Sequence, residues 1–332
     1  MGANTTGTAN VGFGQNTLAS VTTANDNTAV GSHALDTNTA ANNTAVGRNA
    51  LRYNTTGSEN TAVGKDAADA VTTGTRTVAV GYNAGGGITT GDSNVAIGYQ
   101  ALMTEDEHSN NVAVGASALQ TQNAGAHAYN TAVGFEAGKA NTTGTATVAI
   151  GAQALDANTT GSSNVGVGNN ALGANTTASN NTAVGTDSLA ANTTGDQNVA
   201  IASNSLLDNT TGRNNIAIGH GALENNTTAN QNVAIGPAAL DANTTGASNI
   251  GIGYGALSGN TTADDNVAVG DMSLVANTTG STNTAIGNDA GKSNTTGIGN
   301  IFLGRDSGIT GSPGGNNTTG NFSIFLGDEN IG

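Results

Sequence analysis

Asn232-Val233-Ala234-Ile235-Gly236-Pro237-Ala238-Ala239-Leu240-Asp241-Ala242-Asn243-Thr244-Thr245-Gly246-Ala247-Ser248 is followed at once by Asn249-Ile250-Gly251-Ile252-Gly253, where the same pattern starts again. Numbering the leading Asn as position one, the fourth position carries a large apolar residue. It falls at Val80, Ile97 and Val114, then at Ile150, Val167, Val184, Ile201, Ile218, Ile235, Ile252, Val269, Ile286 and Leu303, 17 residues apart within each run. The step from Val30 to Val46 is 16, that from Val114 to Val133 is 19, and that from Leu303 to Leu326 is 23. From Phe13 to Leu326 there are 19 repeats, which leave no room for a separate globular domain. Fixed-period self-similarity of this kind is the mark of a repeat architecture.

The period excludes helical repeats, which need more than thirty residues per unit. Gly at the fifth and fifteenth positions would also break helices. Asn-Val-Ala-Ile-Gly alternates with period two and is β-branched, so it is expected to form a short strand. The Ala-Leu segment reads as a second, shorter strand or an extended corner. Asn-Thr-Thr-Gly is turn chemistry, with Asn and Gly suited to the left-handed region. Strands and turns in one 17-residue unit make one coil of an all-β, parallel β-solenoid. At a coil spacing of about 4.8 Å, the stack is expected to extend on the order of 90 Å.

Composition narrows the function. Gly accounts for 50 of 332 residues, aromatics for 3% and charged residues for 9%. Globular domains carry about 25% charged residues. There is no Cys, so no disulfide or thiolate metal site contributes. A net charge of −15 without a Lys/Arg stripe argues against nucleic acid as a partner. No stretch is apolar and long enough to span a bilayer, so no membrane insertion is expected. Met1-Gly2-Ala3 leads straight into the first repeat, with no visible signal peptide.

The positions suggest roles. The fourth is expected to point into the coil, giving a core of Val80, Ile97, Val114, Ile150, Ile201, Ile218, Ile235, Ile252 and Ile286. Position nine, as in Leu155 and Leu257, is expected to complete it. Position three is Ala or Gly for seventeen repeats and lies on the opposite face of the strand. Ala79, Ala96, Ala113, Ala149, Ala200, Ala217, Ala234 and Ala268 are therefore expected to form an interface where another chain approaches closely. A thin coil has a high surface-to-volume ratio, and association would bury the missing area. Phe302 and Phe325 replace Ala there and are expected at a wider part of that interface, or at the cap that terminal repeats need. The chain thus divides into a continuous array over 1–304 and an atypical last repeat or cap over 305–332, whose Gly/Pro loop carries Pro313.

The Asn-Thr-Thr turns, among them Asn54, Asn158, Asn175, Asn192, Asn243 and Asn277, are expected to stack as a turn ladder along the array. They are formally N-glycosylation acceptors. No catalytic, cofactor or metal constellation stands out. The four histidines, His33, His108, His127 and His220, are expected as exposed turn residues without a carboxylate or a second His at ligand spacing. Glu105-Asp106-Glu107-His108 replaces one Asn-Thr-Thr-Gly turn and reads as a decorated loop without the EF-hand spacing.

Asn94–Gly98, Thr147–Gly151 and Asn232–Gly236 resemble the head repeat of trimeric autotransporter adhesins, the YadA-like left-handed β-roll. The longer unit, with Asn-Thr-Ala-Val-Gly, Ala-Leu and Asn-Thr-Thr-Gly, is similar to repeats of bacteriophage tail-fibre and related surface-fibre proteins. The resemblance covers essentially the whole chain. It implies a left-handed roll assembled as a homotrimer, acting as the head or stalk of an extracellular fibre on a bacterial surface or virion. The chain departs from a full autotransporter in lacking coiled-coil heptads and a C-terminal membrane anchor. The expected function is a non-enzymatic structural or adhesive fibre with no cofactor, whose repeated weak contacts to a host-surface receptor or glycan gain by avidity. The alternatives are an ice-binding solenoid and an inert, self-assembling spacer or sheath. Against ice binding, the Thr residues are adjacent in a turn.

Overall fold

The computed structural model describes residues 3–125, 127–309 and 317–327. Each repeat contributes one three-residue strand, because only positions two to four are extended before Gly turns the chain. Strands β1 (Val11–Phe13) to β9 (Val148–Ile150) lie in one compact unit, Met1–Asn164, and β10 (Val165–Val167) to β19 (Ile324–Leu326) in a second, Val165–Gly332. In each unit consecutive strands pair in parallel with like positions opposite, as in Ala45 with Ala62 and Ala200 with Ala217. There is no helix among the described residues. The protein is an all-β parallel solenoid. The Ala-Leu segment forms turns where a second, shorter strand or an extended corner was expected.

Turning is concentrated at four places in the coil. Positions seven, nine and seventeen adopt left-handed φ, for example Asn204 at 58°, Leu206 at 51° and Asn214 at 57°. Position five is Gly at φ near +130°, as in Gly236 at 131°. A Cβ there would sit 2.6 Å from the carbonyl oxygen of Gly253 in the next coil, so backbones stack directly on one another. Ala202 alone puts a side chain at this position, at φ 100°.

The two faces of the strand are the reverse of those expected from residue size. Ala79, Ala96, Ala113, Ala149, Ala200, Ala217, Ala234 and Ala268 are buried inside their own coils, 0–1% exposed, and are not available to another chain. Ile97, Ile150, Ile201, Ile235 and Ile286 point outward and are 36–44% exposed, while Val80, Val114, Ile218 and Ile252 are half-buried on that same outer face. The cause is the Leu at position nine. Leu155 and Leu257 are 0–1% exposed, and a Leu of this kind fills the space beneath the strand. At Gly251, a position-three residue, an added Cβ would already lie 3.3 Å from Cγ of Leu240. Ala fits above such a Leu and Ile does not.

Phe302 is likewise an interior residue, 0% exposed. The two positions nine beside it are Gly291 and Gly308, whose would-be Cβ atoms fall 2.6 and 2.4 Å from its ring atoms. Its ring occupies the volume that Leu takes elsewhere. Phe325 is half-buried and stacks on it, with centroids 5.1 Å apart. The stack closes the interior of the last described coils. Pro313 and the rest of 310–316, like residues 328–332, lie outside the described residues.

Candidate functional site

Two kinds of structure recur along each unit: amide ladders inside and an apolar stripe outside. The ladders begin with Asn at positions one and twelve, both buried. In the second unit the position-twelve side chains hand one hydrogen bond from coil to coil. Asn192 Nδ2 donates to Asn175 Oδ1 at 2.9 Å, and Asn209, Asn226, Asn243, Asn260, Asn277 and Asn294 continue the chain at 2.8–3.2 Å. At position one, the backbone N–H of each coil donates to the preceding Asn Oδ1, as Asn215 does to Asn198 at 3.0 Å. Both columns meet at one carbonyl. Gly212 O accepts from Asn198 Nδ2 at 2.8 Å and from Asn209 Nδ2 at 3.1 Å. Buried polar groups are tolerated when each is paired, and stacking coils pairs them repeatedly.

The turn-ladder residues therefore face inward. Asn54, Asn158, Asn175, Asn192, Asn243 and Asn277 are 0–1% exposed, and their amides are not presented to a receptor or open to glycosylation. The adjacent Thr hydroxyls bond to the next coil, as Thr210 Oγ1 does to Thr227 O at 3.0 Å. The role of the position-one Asn was missed from the sequence. Its recurrence at Asn198, Asn215, Asn232 and Asn249, ahead of a variable second position, was the available signal.

The first unit interrupts the position-twelve ladder. Asn54 Nδ2 donates to Asn38 Oδ1 at 2.7 Å, but the next two coils carry Val71 and Ile88. Asn54 Oδ1 is left without a partner. Glu105 and Gln122 follow, and then Asn141 and Asn158 resume the ladder at 2.8 Å. Glu105 is fully buried. Its Oε1 is 2.7 Å from His108 Nδ1, and its Oε2 accepts from Asn111 Nδ2 at 3.4 Å. Burial pushes the Glu105 carboxyl above its ordinary range, against the pull of the His108 hydrogen bond. His108 is thus paired with a carboxylate, as is His33, 2.9 Å from Asp36 Oδ2, contrary to the expectation of unpaired histidines. Among the described residues, no group of three or more His, Asp or Glu could hold a metal ion. Among the same residues no helix is long and apolar enough to cross a membrane.

The outer stripe is built from positions two and four. In the second unit it runs from Val165 and Val167 through Ile216 and Ile218 to Ile324 and Leu326. Monomeric proteins rarely expose a contiguous apolar patch beyond roughly 300–600 Å². Here ten strands carry two outward side chains each in one column, aliphatic at all but Thr182 and Thr284. The first unit repeats the stripe, with Thr28, Thr44, Thr61 and Thr131 at position two.

These features define the class: a tandem-repeat, all-β parallel solenoid. The chain matches no family model, no curated protein and no solved structure.

Proposed function

We propose that the chain is a non-enzymatic fibre element whose copies associate in parallel through the stripe of positions two and four, and that the assembly serves attachment outside the cell, on a bacterial surface or virion. The observation that carries this reading is the outward stripe of Val and Ile, with Thr at some position-two sites, on a protein whose coil interior is built mainly of Ala, Leu and Asn. A second copy of the chain is the occupant it fits best. Coils stacked at one spacing present matching columns, so a parallel copy meets Val and Ile with Val and Ile over most of the contact and Thr with Thr at the remaining position-two sites. Removing this surface from water contributes about 25 cal/mol per Å². The resemblance to trimeric adhesin and tail-fibre repeats favours three copies. Neither nucleic acid nor membrane insertion belongs to this reading, nor does a cofactor.

Equilibrium sedimentation of the full chain tests the assembly, with an expected mass three times the 32.2 kDa chain. Binding of the labelled full chain to bacterial cells and to a glycan array tests the role. A monomeric chain would remove the assembly, and an assembled chain that binds neither would remove attachment.

A further inference from the structure

Position six, just after the Gly that ends each strand, carries an aromatic column in the first unit. Tyr82 and Tyr99 stack with centroids 5.5 Å apart and planes 17° from parallel. Lys65 Nζ lies 4.9 Å from the Tyr82 centroid on the coil before. The coil after Tyr99 has Ala116 at this position, and the next has Phe135. Backbone hydrogen bonds fix the order. Gln100 N donates to Tyr82 O at 3.0 Å, Ser117 N to Tyr99 O at 2.8 Å and Glu136 N to Ala116 O at 2.9 Å. Tyr99 and Phe135 are each more than half exposed.

The column therefore has a missing rung. Tyr99 and Phe135 stand two coils apart, roughly 10 Å by the strand spacing. Rings stack at centroid separations of about 4.5–7 Å, so one further ring inserted above Ala116 would lie within stacking distance of both. The neighbouring polar groups are two amides and one carboxylate paired with a cation. Gln120 Nε2 donates to Gln100 Oε1 at 3.0 Å, which leaves further donors and acceptors on both amides. The carboxylate next to Phe135, Glu136, is held by Lys139 Nζ at 2.6 Å. Aromatic faces flanked by a few amides suit a ligand with C–H faces and a hydroxyl rim, because the electron-rich ring face attracts polarised C–H groups. The net charge of −15 repels acidic ligands.

We propose that the rung at Ala116, between Tyr99 and Phe135, binds a neutral pyranose ring of a surface glycan. The site deepens the attachment reading and rests on it for its biological sense, but not for its chemistry. The full chain is titrated calorimetrically with cellohexaose and with maltohexaose, neutral β- and α-linked glucose chains, with hexagalacturonate as the acidic control. Tyrosine emission is followed in parallel, since the chain has no Trp. Saturable binding of at least one neutral hexamer is expected, weakened about tenfold by Tyr99→Ala or Phe135→Ala. Ala116→Tyr fills the rung without removing any packing and is expected to abolish binding. Tyr254→Ala, which removes a position-six ring in the second unit, where the coils on either side carry Pro237 and Asp271, is expected to leave it unchanged. No binding by either neutral hexamer, preferential binding of the acidic one, or binding indifferent to Ala116→Tyr would overturn the proposal. Sedimentation of the same samples separates it from the assembly: a monomer that still binds through this rung keeps the site and loses the fibre.

Discussion

The two units meet the same difficulty in different ways. Each contains coils that lack Leu at position nine, and each must refill the interior. In the first unit Ala68, Gly85 and Gly138 stand at that position. Gly138 keeps Asn141 in the ladder column and has Leu119 Cδ2 of the preceding coil 3.0 Å from where its Cβ would be. Beside Ala68 and Gly85 the compensating bulk comes from Val71 and Ile88 in the ladder column. Ile88 Cδ1 lies 3.0 Å from where a Cβ of Gly85 would be. The interior is filled, but the ladder is cut and Asn54 Oδ1 is stranded. In the second unit Gly291 and Gly308 are answered by Phe302 from position three, and position twelve stays Asn in every coil from Asn175 to Asn317. Filling volume and pairing amides are thus separate constraints. The first unit meets volume at the expense of pairing where Val71 and Ile88 cut the ladder. The second fills volume without cutting it, and its stranded ladder oxygen, Asn294 Oδ1, lies at the end of the column, where Asn317 Nδ2 turns to Gly320 O.

Removing the second unit's solution has the largest expected effect. Phe302→Ala restores the common position-three residue but leaves a cavity, at a cost of about 3–5 kcal/mol. Adding Gly291→Leu restores the common position-nine residue at a site already at φ 62°, where other coils hold Leu. The pair is expected to recover most of the loss, a coupling that a double-mutant cycle by denaturant unfolding measures. Independent, additive effects would break the idea of a shared interior volume.

Asn226→Val copies the first unit's interruption into the second. It strands Asn209 Oδ1, while Ala229 O keeps Asn215 and Asn243 Nδ2 keeps Gly246 O. The expected cost is about 1–3 kcal/mol, read locally as faster amide exchange in the coils on either side. Ala202→Gly sharpens the comparison from the other side, because it relieves the second unit's own irregularity at φ 100°. It is expected to stabilise by about 1 kcal/mol, seen as a raised denaturation midpoint.

The smallest effect concerns Glu105, where the first unit buries a carboxyl in the ladder column. Its folded pKa lies above the ordinary 4.5, so the folded chain holds a proton there that the unfolded chain has released. The stabilising contribution is full below about 4.5 and is lost as pH rises through the folded value. Glu105→Gln removes this dependence. The midpoint difference between variant and wild type is expected to shift in the variant's favour as pH rises, then level off. A difference that stays constant with pH would contradict it.

Much of this was legible in the sequence. The period of 17, the all-β coil and the parallel register follow from one Val or Ile at a fixed phase and Gly after it. Leu155 and Leu257 could be placed inside because no other recurring residue of the unit is large, apolar and unbranched at Cβ. The direction of the strand could not be read from residue size. In a coil this thin, Leu at position nine leaves space for Ala alone, so the larger side chains go outside. Thr28 and Thr61 carried the signal, since they share a face with position four and put hydroxyls on it. The ladder was visible as recurring Asn, but not its burial, because turn-forming Asn and interior Asn look alike until the coil closes around them. The compensation by Phe302 was hidden for a related reason: it depends on Gly291 and Gly308, which lie in neighbouring turns and not in its strand.

The most direct test of the account is sedimentation velocity on Ile201→Lys/Ile218→Lys, with circular dichroism on the same sample. With these residues outward and the stripe forming the contact, the variant is expected to keep its β spectrum and sediment as a monomer, whereas Ala200→Lys/Ala217→Lys loses the fold. A variant that unfolds would put Ile201 and Ile218 back in the core, and one that stays assembled at wild-type mass would show that the stripe is not where the copies meet.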